Sequence, residues 1–417
     1  MRRGRTTMLT REQKLVMLST TLDMFLEGVF VTLSPISVQW PFVPGWAASL
    51  LFITMPIGTI IGNSTFGRLT DLRGRKLTYL SMLAVYAVGS ALVILSSNVY
   101  ELLAGLLIVY SAIGGEIPVV LSYVVESAPV DIKERAVVLI TNVGNVGAVV
   151  AAAVALMTSS ISVSAERLTL GVLIGLAISI LVITRSLVPE SRPWASLPRE
   201  RRGRVSLGYE SARFVLASLT LMAISSVLTF GLLALSIGPE EFPSVSNEIL
   251  LVYFIGEVLG GFIAAYLVTY VGSKGFTMAS YLGGLVTTVA AIFVLRLGPA
   301  PFLALLLANG VFTETVWASR NVLESLSFPT NFRGTGISLV RVAAYVLLAA
   351  SYLVTASMKP VEYLTFAAAT WALGVGASLA WYARGPELVG ATLANLPEEF
   401  KVRPPRKRWG QRGSDAG

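Results

Sequence analysis

Twelve long apolar runs constrain this chain more than any other feature. They fall at about 15–37, 46–68, 77–97, 100–125, 135–158, 167–189, 209–237, 247–271, 275–297, 300–325, 335–357 and 361–384. A membrane-spanning helix needs roughly 20 largely apolar residues. Twelve of them leave short loops and a tail out of 417 residues, with no room for a soluble catalytic domain. Only 13% of the residues are charged, against roughly 25% in an ordinary soluble domain. The fold class read from this is all-α integral membrane.

The residue types that are missing narrow the chemistry. The chain has no cysteine and no histidine. Disulfides, thiol nucleophiles, haem attachment through cysteine and zinc ribbons are excluded, as are histidine triads. Aspartate occurs only at 23, 71, 131 and 415, so no aspartate-rich metal pair exists. The expectation is no enzyme, no catalytic residue, no metal and no cofactor beyond a proton gradient. Proton chemistry at neutral pH falls to carboxylates. The first run carries Asp23 and Glu27 and is too long for a cleaved signal segment, so it reads as span 1. The sequon Asn63-Ser64-Thr65 lies inside span 2 and reads as chance.

Lysine and arginine favour the cytoplasmic side of short loops. The N-terminus, the even-numbered loops and the C-terminal tail hold 24 basic residues, the other loops 3. Both termini are therefore expected in the cytoplasm of a multi-pass protein in the cell membrane. The net charge of +8 is first a topology signal. The tail run Lys401–Arg412 is expected against anionic lipid rather than on nucleic acid.

The longest even-numbered loop follows span 6 and contains Pro193, Pro198 and a basic run. It divides the chain into a cytoplasmic N-terminal segment (1–14), an N-terminal six-helix bundle (15–189), a linker (190–208), a C-terminal bundle (209–384) and a basic tail (385–417). An offset of 198 residues aligns span 2 with span 8. Ile57/Ile255, Gly58/Gly256, Gly62/Gly260, Leu69/Leu267, Gly74/Gly272 and Lys76/Lys274 then coincide. Such internal repetition supports reading the loop as a linker between two related six-helix halves.

The loop Gly67-Arg68-Leu69-Thr70-Asp71-Leu72-Arg73-Gly74-Arg75-Lys76 resembles the signature loop of the major facilitator superfamily. Phe328-Pro329-Thr330-Asn331-Phe332-Arg333-Gly334 resembles a motif of its sugar-porter and metabolite–proton symporter branches. So do Gly114-Gly115-Glu116-Ile117-Pro118 and Glu126-Ser127-Ala128-Pro129. Lys133-Glu134 departs from the expected arginine–glycine, with Arg135 next. The resemblance implies twelve transmembrane helices in two pseudo-symmetric six-helix bundles. It also implies a cytoplasmic gate drawn from Gly67, Asp71, Gly74, Arg75, Lys76, Glu126 and Arg333. The plainer reading is that these charges only anchor loops.

Ionisable residues at bilayer depth are functional candidates by default. Asp23 and Glu27, one helical turn apart, are placed on one face of span 1. Two such carboxylates resist ionising together, which suits proton coupling; the competing reading is neutralisation by an arginine. Glu116 and Glu257 lie deep in spans 4 and 8. Coupling candidates are Asp23, Glu27 and Glu116. Glu314, Trp317, Arg320 and Glu324 follow one another at helical steps on span 10, and Arg341 lies about 10 Å into span 11. The resemblance implies a central cavity lined by spans 1, 4, 7 and 10, which makes Glu314 and Trp317 substrate-cavity candidates, with Arg320 and Arg341 added to them and an Arg320–Glu324 pair as the plainer alternative. Five deep acids against two deep arginines favour a neutral polyol or a cation. An organic acid requires Arg320 or Arg341 to face the cavity.

These features point to a secondary active transporter of a small polar metabolite, a sugar or organic solute, working by alternating access with proton symport. An exporter or uncoupled facilitator is the nearest alternative, and a transporter-like solute receptor the alternative of another class. Span 5 lacks the glycine–proline pattern of drug antiporters, which lowers drug export. The expected partners are the solute, protons and lipid, for a monomer.

Overall fold

The computed structural model describes residues 9–158, 161–203, 211–355 and 357–390. Arg2, Arg3, Arg5, Arg204 and the basic run Lys401–Arg412 lie outside them. Eleven helices among the described residues are long and apolar enough to cross a membrane. The longest, Glu248–Leu297, has 50 residues, or about 75 Å of helix, more than twice a hydrocarbon core of about 30 Å. It turns at Gly272 (φ 78°, ψ 162°) and is therefore two spans.

Twelve spans result. They are Arg11–Ser37, Gly45–Arg73, Arg75–Leu95, Val99–Ser127, Val130–Thr158, Val163–Leu187, Ala212–Glu241, 246–271, 273–294, Pro299–Ser327, Arg333–Thr355 and Pro360–Arg384. No strand occurs among the described residues. The helical form follows from solvent: in hydrocarbon every backbone N–H and C=O must be satisfied within its own segment.

Spans 1–6 pack with one another, as do spans 7–12, and spans 2, 4, 5, 8, 10 and 11 meet between the two sets. Within each half a glycine brings two backbones together. A Cβ on Gly62 would lie 1.9 Å from the Ser111 carbonyl oxygen, and one on Gly260, 198 residues on, 2.5 Å from that of Val311. Close backbone approach is what drives helix packing in lipid, where apolar burial gives no advantage.

The repeat also governs a turn. Gly74 (φ 104°) and Gly272 (φ 78°) adopt positive φ, a region that penalises side chains. Each turn is followed by a helix whose first N–H groups are capped by a carboxylate from the end of the same half. Glu190 accepts from the Arg75 N–H at 3.0 Å, and Glu387 from the Ser273 N–H at 2.6 Å. An anion at a helix N-terminus meets both free N–H groups and the positive end of the dipole. Glu387 is exposed on its outer side. Burial pushes its carboxyl up, but hydrogen bonds from Ser273, Val389 and Lys274 outweigh this and hold it below the usual range. The first residues past span 12 are thus fastened to the bundle. The Gly390 N–H donates to Glu134 at 3.0 Å, and the Leu388 N–H to Ser273 Oγ at 3.2 Å.

Candidate functional site

A cavity of about 130 Å³ lies between the halves. Its lining runs from Glu27, Asn145, Asn321 and Arg341 at mid-depth to Ser34, Phe52, Leu235 and Tyr352, toward the face opposite the termini. An apolar cavity of about 150 Å³ admits one benzene-sized ring. Span 7 breaks beside it at Gly231 (φ 62°), so that Phe230 and Leu235 both reach the wall.

Span 1 separates its two acids. Glu27 lines the cavity. Asp23 is fully buried and forms an ion pair with Arg185 of span 6. Arg185 also donates to the Tyr79 carbonyl and lies 3.9 Å from the centre of the Tyr79 ring. One helical turn apart, the two acids thus meet different neighbours, and Asp23 takes the competing reading of neutralisation by an arginine. Glu116 does not line the cavity; it accepts the Tyr86 hydroxyl, whose ring stacks on Phe30 at 4.9 Å.

Span 10 carries the opposite wall. Glu314 and Trp317 line the cavity, and Phe230 meets the indole edge-on at 5.6 Å. Arg320 does not reach the cavity, which corrects its place among the candidates. Its guanidinium lies behind Trp317, 4.0 Å from the ring centre, held by Glu324 at 3.1 Å and Ser226 Oγ at 2.7 Å. Arg341 does line the cavity. It binds the other Glu324 oxygen at 2.9 Å and Asn321 Oδ1 at 2.7 Å. Two arginines thus share one carboxylate, and a unit of positive charge is left over within this cluster. Across the cavity Arg341 acts electrostatically on Glu27, and Glu27 on Glu314.

On the face that carries the termini, residues of both halves meet. Asp71 accepts from the Gly334 N–H at 3.1 Å, the Thr335 N–H at 2.7 Å and Thr335 Oγ1 at 2.8 Å, at the start of span 11. Arg75 binds Asp71 at 3.2 Å and grips Glu126 with two nitrogens at 2.7 and 3.0 Å. Arg333 reaches the same Glu126 at 2.5 Å, and Ser191 donates to it as well. Gly67 has room for no side chain, since a Cβ there would lie 1.8 Å from Ser338 Oγ. Gly74 and Lys76 sit within the N-terminal half instead: Gly74 faces Glu190, and Lys76 Nζ donates to the Ser186 carbonyl. At the departure from the motif, Arg135 donates to Thr269 Oγ1 across the halves at 2.9 Å. Among the described residues no acidic cluster suits a metal ion.

Several site residues were not singled out from the sequence. Arg185 looked like a residue at the end of a span. Asn145, Asn321 and Tyr345 are cavity residues whose only signal was a polar group within an apolar run.

A transporter fold is defined by these features: twelve spans, two related halves, a cavity between them and a charged seam across one face. The chain belongs to the major facilitator superfamily, whose sequence model matches residues 16–351. It is 31% identical over 177 residues to the niacin transporter NiaP of Acinetobacter baylyi, 41% of this chain and 37% of that one. It is 25% identical over 325 residues, 73% of this chain and 77% of the other, to a Bacillus subtilis protein named as a niacin/nicotinamide transporter, NiaP. The match thus spans little more than a third of the first relative and about three quarters of the second. Among solved structures, the proton:xylose symporter XylE superposes with a TM-score of 0.74 at 18% identity, covering 93% of this chain and 98% of that one. The protein is a multi-pass membrane transporter of small solutes and not an enzyme.

Proposed function

We propose that this transporter moves a small single-ring organic anion of the nicotinate type, by alternating access coupled to proton entry. One observation carries the reading: Arg341 lines the cavity while the one carboxylate it binds among the described residues, Glu324, is shared with Arg320. The organic-acid alternative required such an arginine. Trp317 and Phe230 offer aromatic surface to the ring, and Asn145, Asn321 and Tyr345 offer hydrogen bonds. The names of the niacin-transporting relatives point to the same chemistry, and the cavity is of single-ring size.

Coupling follows from charge. A carboxylate arriving at Arg341 competes with Glu27 for the one uncompensated positive charge, and both cannot stay ionised in a dry cavity. A proton taken by Glu27 resolves the conflict, so anion and proton travel together. Asp23 and Glu116, each with a partner outside the cavity, rank below Glu27 as proton carriers. Asp71, Arg75, Glu126 and Arg333 act as the gate, holding this state closed on the face of the termini. Alternating access needs contacts that exist in one state only. The bias of basic residues toward one set of loops supports reading that face as the cytoplasmic side of a cell membrane, with a monomer as the working unit.

The test is uptake by reconstituted protein of nicotinate, nicotinamide, xylose and myo-inositol, with and without an inward proton gradient. Gradient-driven accumulation of nicotinate is expected. Accumulation of a neutral polyol in its place would overturn the anion reading, and accumulation indifferent to the gradient would overturn coupling. Binding of nicotinate without flux would favour a receptor.

A further inference from the structure

Span 5 has two different faces. Its glycines meet span 1: a Cβ on Gly147 would lie 2.0 Å from the Phe25 carbonyl oxygen. Its amides Asn142 and Asn145, three residues apart and so on one face, turn to the other half. Asn145 lines the cavity and has two N–H groups to give. Its Nδ2 lies 2.8 Å from Glu314 Oε2 and 3.1 Å from Asn142 Oδ1. Asn142 is buried, and its own Nδ2 donates to the Val258 carbonyl of span 8 at 3.1 Å. The amide of Asn142 fills the place of a missing side chain, for a Cβ on Gly261 would lie 1.9 Å from its Cγ. A continuous chain of donors therefore runs from the cavity acid Glu314, through span 5, to the backbone of span 8.

We propose that Asn145 and Asn142 are positioning residues that convert the state of Glu314 into the tightness of the span 5–span 8 contact. A hydrogen bond to an ionised carboxylate is roughly twice as strong as one between neutral groups. When Glu314 gains a proton or engages a solute, Asn145 loses its strongest acceptor. Asn142 is then free to leave the Val258 carbonyl, and the seam between the halves slackens. The groups acting on Glu314 are Asn145 of span 5, Glu27 of span 1 and Glu257 of span 8. This inference rests on alternating access and not on the choice of solute.

The absence of cysteine makes the test clean. Val268 is 1% exposed and follows Gly261 and Ala265 on the same face of span 8, at steps of four and three, so Val268→Cys reports the seam. The full chain in detergent is labelled with a maleimide, with no solute present. Glu314→Gln, which removes the charge and keeps the shape, is expected to speed labelling about threefold, and Asn145→Ala about tenfold. Residues acting through one another are non-additive, so the double variant is expected to stay at about tenfold. A double variant near thirtyfold would show independent effects and overturn the proposal, as would unchanged labelling in Asn145→Ala. If Asn145→Ala does not fold, Asn142→Ser carries the same test. It leaves the cavity intact and is expected to speed labelling, and unchanged labelling would again overturn the proposal. Because nicotinate takes no part, failure here is separate from failure of the uptake experiment.

Discussion

The two halves share a frame and differ in how they handle charge. Gly62 and Gly260, Gly74 and Gly272, Glu190 and Glu387 occupy matching places. Glu116 and Glu314 are also 198 residues apart, yet one accepts from Tyr86 outside the cavity and the other lines it. Between spans 1 and 6 of the N-terminal half the buried Arg185 pairs with one acid, Asp23. In the C-terminal half Arg320 and Arg341 divide a single Glu324. A balanced pair holds a structure together; an unbalanced cluster is available to bind an anion. The repeat supplied the scaffold, and departures from it supplied the site.

That contrast can be broken most directly at Arg341. Arg341→Gln is expected to cut nicotinate uptake at least about 100-fold, in line with the cost of removing one partner from a buried charge contact. Arg341→Lys should recover little, because a lysine cannot bridge Glu324 and Asn321 with a planar fork. Uptake assays on purified, correctly eluting protein decide it.

Asp23 and Glu27 should then behave oppositely. Asp23→Asn strands Arg185 in the membrane and is expected to cost about 3–5 kcal/mol, the usual penalty for orphaning a buried charge, seen as a large drop in melting temperature. Glu27→Gln should melt near the parent temperature and exchange nicotinate across the membrane, while losing accumulation driven by the proton gradient. The reverse pattern would move the coupling site to Asp23.

The matched turns give a smaller effect. Alanine at Gly74 or Gly272 meets a strained backbone, at a cost of about 1–3 kcal/mol. Gly74→Ala is expected to be the worse of the two, since its Cβ would lie 2.3 Å from Glu190, against 2.8 Å from Glu387 at Gly272. Thermal unfolding of the two variants compares them. The smallest effect is expected at Glu387. Its carboxyl is held below the usual range in the folded protein, so its contribution is complete above about pH 4.5 and fades as pH falls through the lowered value. Glu387→Gln should lower stability at neutral pH and flatten that acid limb of the melting curve.

Much of this was legible in the sequence, and for physical reasons. Hydrocarbon demands long apolar helices, so the twelve spans stood out. The positive φ of Gly74 and Gly272 forces glycine, so the repeat survived where little else did. Asp71 was readable because a carboxylate among four basic residues in a short turn has few other uses. Partnerships across the bundle were not legible. Nothing in the spacing of span 1 says that Asp23 meets span 6 and Glu27 the cavity. Nor does span 10 announce that Trp317 screens Arg320, or span 5 that its amides reach Glu314. Such contacts depend on the rotation of each helix, which a pattern of apolar residues leaves loose by tens of degrees.

The glycine contacts inside each half have a mechanical meaning. Where Gly62 meets Ser111 and Gly260 meets Val311, backbone rests on backbone, with no side chain between to bend or repack. A joint of that kind is stiff. Each half is then expected to behave as a block, with displacement accumulating where side chains line the join, along the cavity. On the alternating-access reading proposed above, a push of a fraction of an ångström at Glu314 or Arg341 would be passed on as a rotation of the block instead of being absorbed beside the solute.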